Sequence, residues 1–150
     1  MDLCEPQEYV EFLRAYPEQT QNLARKLRNR LVELLPDCIE VVWDATNTVG
    51  TAYGFTEKNR DAFLHLPTYT SYVNLGFNHG VDLHDSEKRL KGTGSKIRHL
   101  RLTDVSDLDD PYVQDLIRQA HETAVRSDQP VQPRTVVRVM EGPKRRPRPS

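Results

Sequence analysis

A chain of 150 residues with 37% hydrophobic and 29% charged residues has the make-up of one globular domain able to bury a core, which excludes disorder of the whole chain. No apolar run approaches the ~20 residues of a membrane span. The start, MDLCEPQEYVEFL, is acidic and lacks the cationic and apolar stretches of a secretory signal, so a cytoplasmic location and no membrane partner are expected.

In chain order, a short helix is predicted over 6–15, with Tyr9, Val10, Phe12 and Leu13 as its apolar side. A longer one follows from Pro17 to Leu35, because Leu23, Leu27, Leu31 and Leu34 recur on one face and Pro36 stops the run. Cys38–Trp43 reads as a strand that sets Ile39, Val41 and Trp43 against Cys38, Glu40 and Val42, and Trp43 is assigned to the core with the first set. Val49–Phe55, Ala62–Leu66, Tyr69–Phe77 and Ile97–Leu102 read as four more strands. In the fourth, Val73, Leu75 and Phe77 share one face, while Tyr72, Asn74, Gly76 and Asn78 share the other. A last helix runs from Pro111 to about Arg126, capped by Asp110.

Consecutive strands with short connectors imply an antiparallel sheet of about five strands. Helices before and after it make a two-layer α+β domain over 1–127, whose other sheet face is open to water or ligand. Residues 128–150 carry five prolines and six cations (Arg134, Arg138, Lys144, Arg145, Arg146, Arg148) against Asp128 and Glu141, the composition of a largely flexible basic tail. Thr135–Met140 is the exception, a β-branched run able to add an edge strand. With the positive charge concentrated in the tail, the body is acidic, which disfavours a dedicated nucleic-acid domain; weak phosphate contact through the tail is the residual option.

The most informative segment is KRLKGTGSKIRHLR, with six cations from Lys88 to Arg101, two glycines and no carboxylate. Gly92, Thr93 and Gly94 let backbone amides converge on an anion, and Lys96 and Arg98 supply charge. The alternative is a polar turn entering a strand, its cations balanced by flanking aspartates. His99, Tyr72 and Asn74 complete a polar site if the fourth and fifth strands pair. His79, Asp82, His84 and Asp85 read as turn chemistry, and Asp104, Asp107, Asp109 and Asp110 as caps and counter-charges. Cys4 and Cys38 have no metal-ligand spacing, and Ser95 lacks the context of a nucleophile. No catalytic residue, metal ligand or cofactor is assigned.

YVNLGFNHGVDL followed by RLKGTGSKIRHLRL and a terminal helix resembles the YdhG-like domain family, over about residues 8–125. Leu90, Gly92, Thr93, Gly94, Lys96, Arg98 and His99 carry the most specific part. The resemblance implies an α+β fold related to the frataxin-like arrangement, and some relatives are described as iron chaperones.

The reading is therefore a non-enzymatic binding module for a small anionic ligand or an acidic partner peptide. A frataxin-like iron chaperone and a nucleic-acid-associated protein using the basic tail are the alternatives.

Overall fold

The computed structural model describes residues 4–140. Helix α1 (Gln7–Phe12) and helix α2 (Glu18–Leu34) come first; Pro17 stands at the N-cap of α2, and Leu35 closes it by donating its amide to the Leu31 carbonyl at 2.9 Å. Strands β1 (Ile39–Asp44), β2 (Val49–Gly54), β3 (Leu64–Thr68), β4 (Val73–Phe77) and β5 (Arg98–Leu102) follow. Helix α3 (Pro111–Thr123) starts where the Asp110 carboxylate accepts the Tyr112 amide at 3.0 Å and Pro111 needs no donor of its own. Strand β6 (Arg134–Val139) ends the described chain. Among the described residues, no helix is long and apolar enough to cross a membrane.

The sheet has the order β5-β4-β3-β2-β1-β6. Its first five strands pair antiparallel in sequence order, as expected; the connectors are short up to β4, and the longer 78–97 segment leads to β5. The sixth corrects the expectation of about five antiparallel strands. It pairs parallel with β1, from Ile39 opposite Arg134 to Asp44 opposite Val139, so the sheet is mixed. The exception foreseen in the tail is thus built into the sheet edge, while Lys144, Arg145, Arg146 and Arg148 lie outside the described residues. The fourth strand is shorter than its alternation suggested, because Tyr69–Tyr72 form the hairpin turn, where the Tyr69 amide donates to the Tyr72 carbonyl at 2.8 Å.

All three helices lie on one face. There Val42, Val49, Tyr53, Leu64, Leu66, Val73, Leu75, Phe77, Leu100 and Leu102 join Tyr9, Leu13, Leu27, Leu31, Leu116 and Ile117 in one buried cluster. Alternation along each strand then sends Trp43, Gly50, Ala52, His65, Pro67, Asn74, Gly76, His99 and Arg101 to the opposite, helix-free face. The assignment of Trp43 to the core is corrected here. The helix side of β1 carries Cys38, Glu40 and Val42, and Ile39, Val41 and Trp43 look the other way.

The reason for that inversion is an ion pair. Arg28 of α2 and Glu40 of β1 are both fully buried and joined bidentately, Nε to Oε2 at 2.9 Å and an Nη to Oε1 at 2.6 Å. Glu40 also accepts the Tyr53 hydroxyl at 2.8 Å and the Thr135 hydroxyl of β6 at 2.9 Å. Burial first, and the Glu40 charge second, push the Tyr53 phenol far above its ordinary value, so it stays a donor. One carboxylate therefore ties α2, β1, β2 and β6 together.

Candidate functional site

The helix-free face holds a line of residues set by strand register. Ala52 of β2 stands opposite His65 of β3, His65 opposite Gly76 of β4, and Gly76 opposite His99 of β5; His99 in turn bridges to Lys91. Gly76 is indispensable to this line, because a Cβ at that position would overlap the His65 imidazole. The missing side chain lets the His65 ring lie across β4 toward His99.

His65 Nδ1 is 2.8 Å from the Asn78 side-chain oxygen. That oxygen accepts, so Nδ1 carries the proton and Nε2 is left as a bare acceptor in the neutral ring. Burial is the main force holding His65 below the ordinary histidine value; the Asn78 bond opposes it, and neighbouring His99 adds to it. The imidazole is therefore neutral at pH 7.

Beside this line lies a cleft of about 520 Å³, whose floor is Gly50, Ala52 and Pro67 and whose walls include Trp43, His65 and Asn78. Small residues on the floor allow a flat group to approach the backbone. Two polar atoms on this face are buried without a hydrogen-bond partner: the Trp43 indole Nε1 and the Asn74 Oδ1. Such groups are uncommon in folded proteins and mark places where a ligand or water completes the bonding. Toward the hairpin, the Tyr69 and Tyr72 rings stack with centroids 4.8 Å apart, and the Arg101 guanidinium sits 4.0 Å above the Tyr72 ring.

Tyr72, Asn74 and His99 thus share one face, as the alternation implied. The rest of the expected constellation lies in the loop that enters β5. Gly92 has φ +130°, a conformation that favours glycine, whereas a side chain at Gly94 would meet only open space. Gly92, Thr93, Gly94 and Lys96 are exposed. Arg98, the first residue of β5 and opposite Phe77, falls by alternation on the side of Leu100 and Leu102 and not on the open face with His99, which corrects its expected place in the site; its guanidinium donates to the carbonyls of Gly94 at 2.6 Å and Ile97 at 2.7 Å. The loop therefore curls around Arg98 through its carbonyl oxygens.

Nearby aspartates are largely committed elsewhere. Asp85 accepts the amides of Arg89 and Leu90 and the Tyr112 hydroxyl; Asp110 pairs with Arg89, and Asp109 with Arg30. Asp104 and Asp107 form a capping box on the 3-10 turn Val105–Asp109. His79 begins the turn Gly80–Asp82, and His84 docks on Gln119 of α3 through its backbone. Among the described residues Lys88, Lys91 and Lys96 are exposed and form no ion pair, and Lys91, opposite His99, brings its charge to the edge of the open face.

His65, with its partner Asn78, escaped the sequence reading. Its signal was a polar residue alternating with Leu64 and Leu66 in a strand, which by itself says only that one face of β3 is not core.

A family model described as "Domain of unknown function (DUF5655)" matches residues 10–124. No curated protein matches the chain, and neither does any solved structure.

Proposed function

Because the chain belongs to this family of domains of unknown function, its chemistry has to be sought on its own surface, and we propose that it is a non-enzymatic binding module taking a small anionic ligand on its open sheet face. The observation that carries this reading is the Ala52–His65–Gly76–His99–Lys91 line, in which a glycine makes room for one imidazole to reach toward a second imidazole and a lysine.

A flat part of the ligand rests on Gly50, Ala52 and Pro67 against Trp43, whose unpartnered Nε1 donates to it. His65 Nε2 accepts a donor from it, and the anionic group lies toward His99, Lys91 and Lys96. Asn74 and Tyr72 extend the polar surface. Of the Leu90–His99 segment that carries the YdhG-like resemblance, Ile97 lines this cleft and His99 stands opposite Gly76 beside it.

Trp43 is the only tryptophan in the chain, so its fluorescence reports on the cleft alone. The test titrates aromatic carboxylates, nucleoside monophosphates and inorganic phosphate, reading fluorescence and thermal shift. A flat anion is expected to change both, and His65→Ala or Lys91→Ala should weaken it about tenfold, the scale of one lost hydrogen bond. Anions that bind with Trp43 silent and both variants unaffected would remove the reading. An acidic peptide or ferrous iron binding in their place would favour the partner-peptide or iron-handling alternative.

A further inference from the structure

On the helix side, away from the open-face cleft, Asp37, Cys38 and His121 bring a carboxylate, a thiol and an imidazole together, with all donor atoms within 4.8 Å of one another. We propose that these three side chains form a binding site for a transition-metal ion of the zinc class, with a fourth position open to water.

The donors come from two elements that fix them independently. Asp37 and Cys38 lie in the turn between α2 and β1, and His121 lies in the last turn of α3. The imidazole stands edge-on to two aromatic rings, Phe55 with centroids 5.2 Å away and Phe63 at 5.8 Å, which set its plane. Its Nε2 is 2.8 Å from Asp37 Oδ2, and the Cys38 sulfur is 3.6 Å from Asp37 Oδ1.

Zinc bonds of ~2.0–2.3 Å in tetrahedral geometry put its ligand atoms roughly 3.3–3.7 Å apart. The sulfur–carboxylate separation already matches, but it is made to Oδ1, whereas the imidazole meets Oδ2. Rotation of the exposed Asp37 carboxyl has to present one oxygen to the ion and open the imidazole contact by about 0.5 Å.

The mixed set of one sulfur, one nitrogen and one oxygen favours zinc or cobalt over magnesium or calcium, which take oxygen ligands. Metal binding exchanges protons for metal bonds: the Cys38 thiol gives its proton to solvent, and Nε2, which donates to the Asp37 carboxylate in the metal-free protein, gives up its proton, the neutral ring keeping its hydrogen on Nδ1, and turns the freed lone pair to the ion. The dication is then balanced by one thiolate and one carboxylate. Arg126 caps the same corner, donating to the His121 carbonyl at 2.8 Å and lying 4.1 Å above the Phe55 ring. It holds the end of α3, and His121 with it, against the apolar wall behind the site.

The test is a cobalt(II) titration of the full chain carrying Cys4→Ser, under a non-chelating reductant. Cys4 is the other free cysteine and would otherwise compete. The expected result is a thiolate-to-cobalt charge-transfer band with the strong visible absorption of four-coordinate cobalt, saturating at one equivalent and displaced by zinc. His121→Ala, at a half-buried position, and Asp37→Asn, at an exposed one, both checked for native circular dichroism, should each weaken binding by at least about tenfold. Absence of the thiolate band in the folded parent overturns the site. So does a band that survives both variants unchanged. Loss of the anion-binding cleft would leave this result untouched, since none of its residues takes part.

Discussion

His65 and Gly76 depend on each other. Replacing Gly76 by alanine pushes the imidazole off β4, and because the obstacle is the far end of a side chain, the ring can swing away with the fold retained. Two readouts follow from that displacement. Ligand response at Trp43 should fall as far in Gly76→Ala as in His65→Ala, and the His65 proton titration, followed by NMR, should rise toward the ordinary value near 6.5 as the ring regains water. The sign of the pH effect on stability is also fixed. A histidine held below its unfolded value binds fewer protons folded than unfolded, so its contribution is complete above about pH 6.5 and is lost as pH falls below it. Urea midpoints from pH 7.5 to 5 should decline, and His65→Gln should flatten that decline. At this scale the sequence was partly legible. Alternation alone brought Tyr72, Asn74 and His99 to one face. It could not show His65 beside His99, because that contact runs across three strands whose register depends on hairpin geometry.

Between elements, the decisive contact is Arg28 with Glu40. Removing one partner leaves the other charged and buried, so Glu40→Ala should cost about 3–5 kcal/mol in chemical denaturation. A paired replacement by apolar residues of similar volume should recover much of that loss. Arg28 stands among Arg25, Lys26 and Arg30 in the sequence, and nothing local distinguishes the arginine of that helix that turns inward. The same blindness misplaced Trp43: the alternation of β1 was correct, but which half of it met the helices was decided by a partner twelve residues away. The β-branched run of β6 was legible, whereas its parallel pairing with β1 was not, because periodicity is identical for either direction. Ending the chain after residue 132 should lower the melting temperature and promote self-association in size-exclusion chromatography, since it uncovers the edge of β1 and removes the Thr135 hydroxyl from Glu40.

For the molecule as a whole, the sheet order sets a gradient of protection. β2 and β3 have paired neighbours on both sides and core beneath them, whereas β5 and β6 form the edges. Hydrogen exchange should be slowest at the amides of β2 and β3 and fastest in β6 and the exposed 91–97 loop. A two-layer α+β arrangement was readable because strong helices and alternating strands are separated cleanly along the chain. Sites assembled from distant segments were not. The Asp37, Cys38 and His121 grouping, for example, joins residues 84 positions apart.

The order of the strands also bears on how such a chain matures on the ribosome. Glu40 and the hydroxyl that completes its hydrogen bonding are separated by 95 positions. A growing polypeptide that has already folded its first five strands still presents β1 as a bare margin, with a buried acid one bond short, until the segment carrying β6 clears the exit tunnel. Final locking of the domain is thereby deferred until the β6 segment has emerged, and any chaperone that acts on this protein has its opening in that interval.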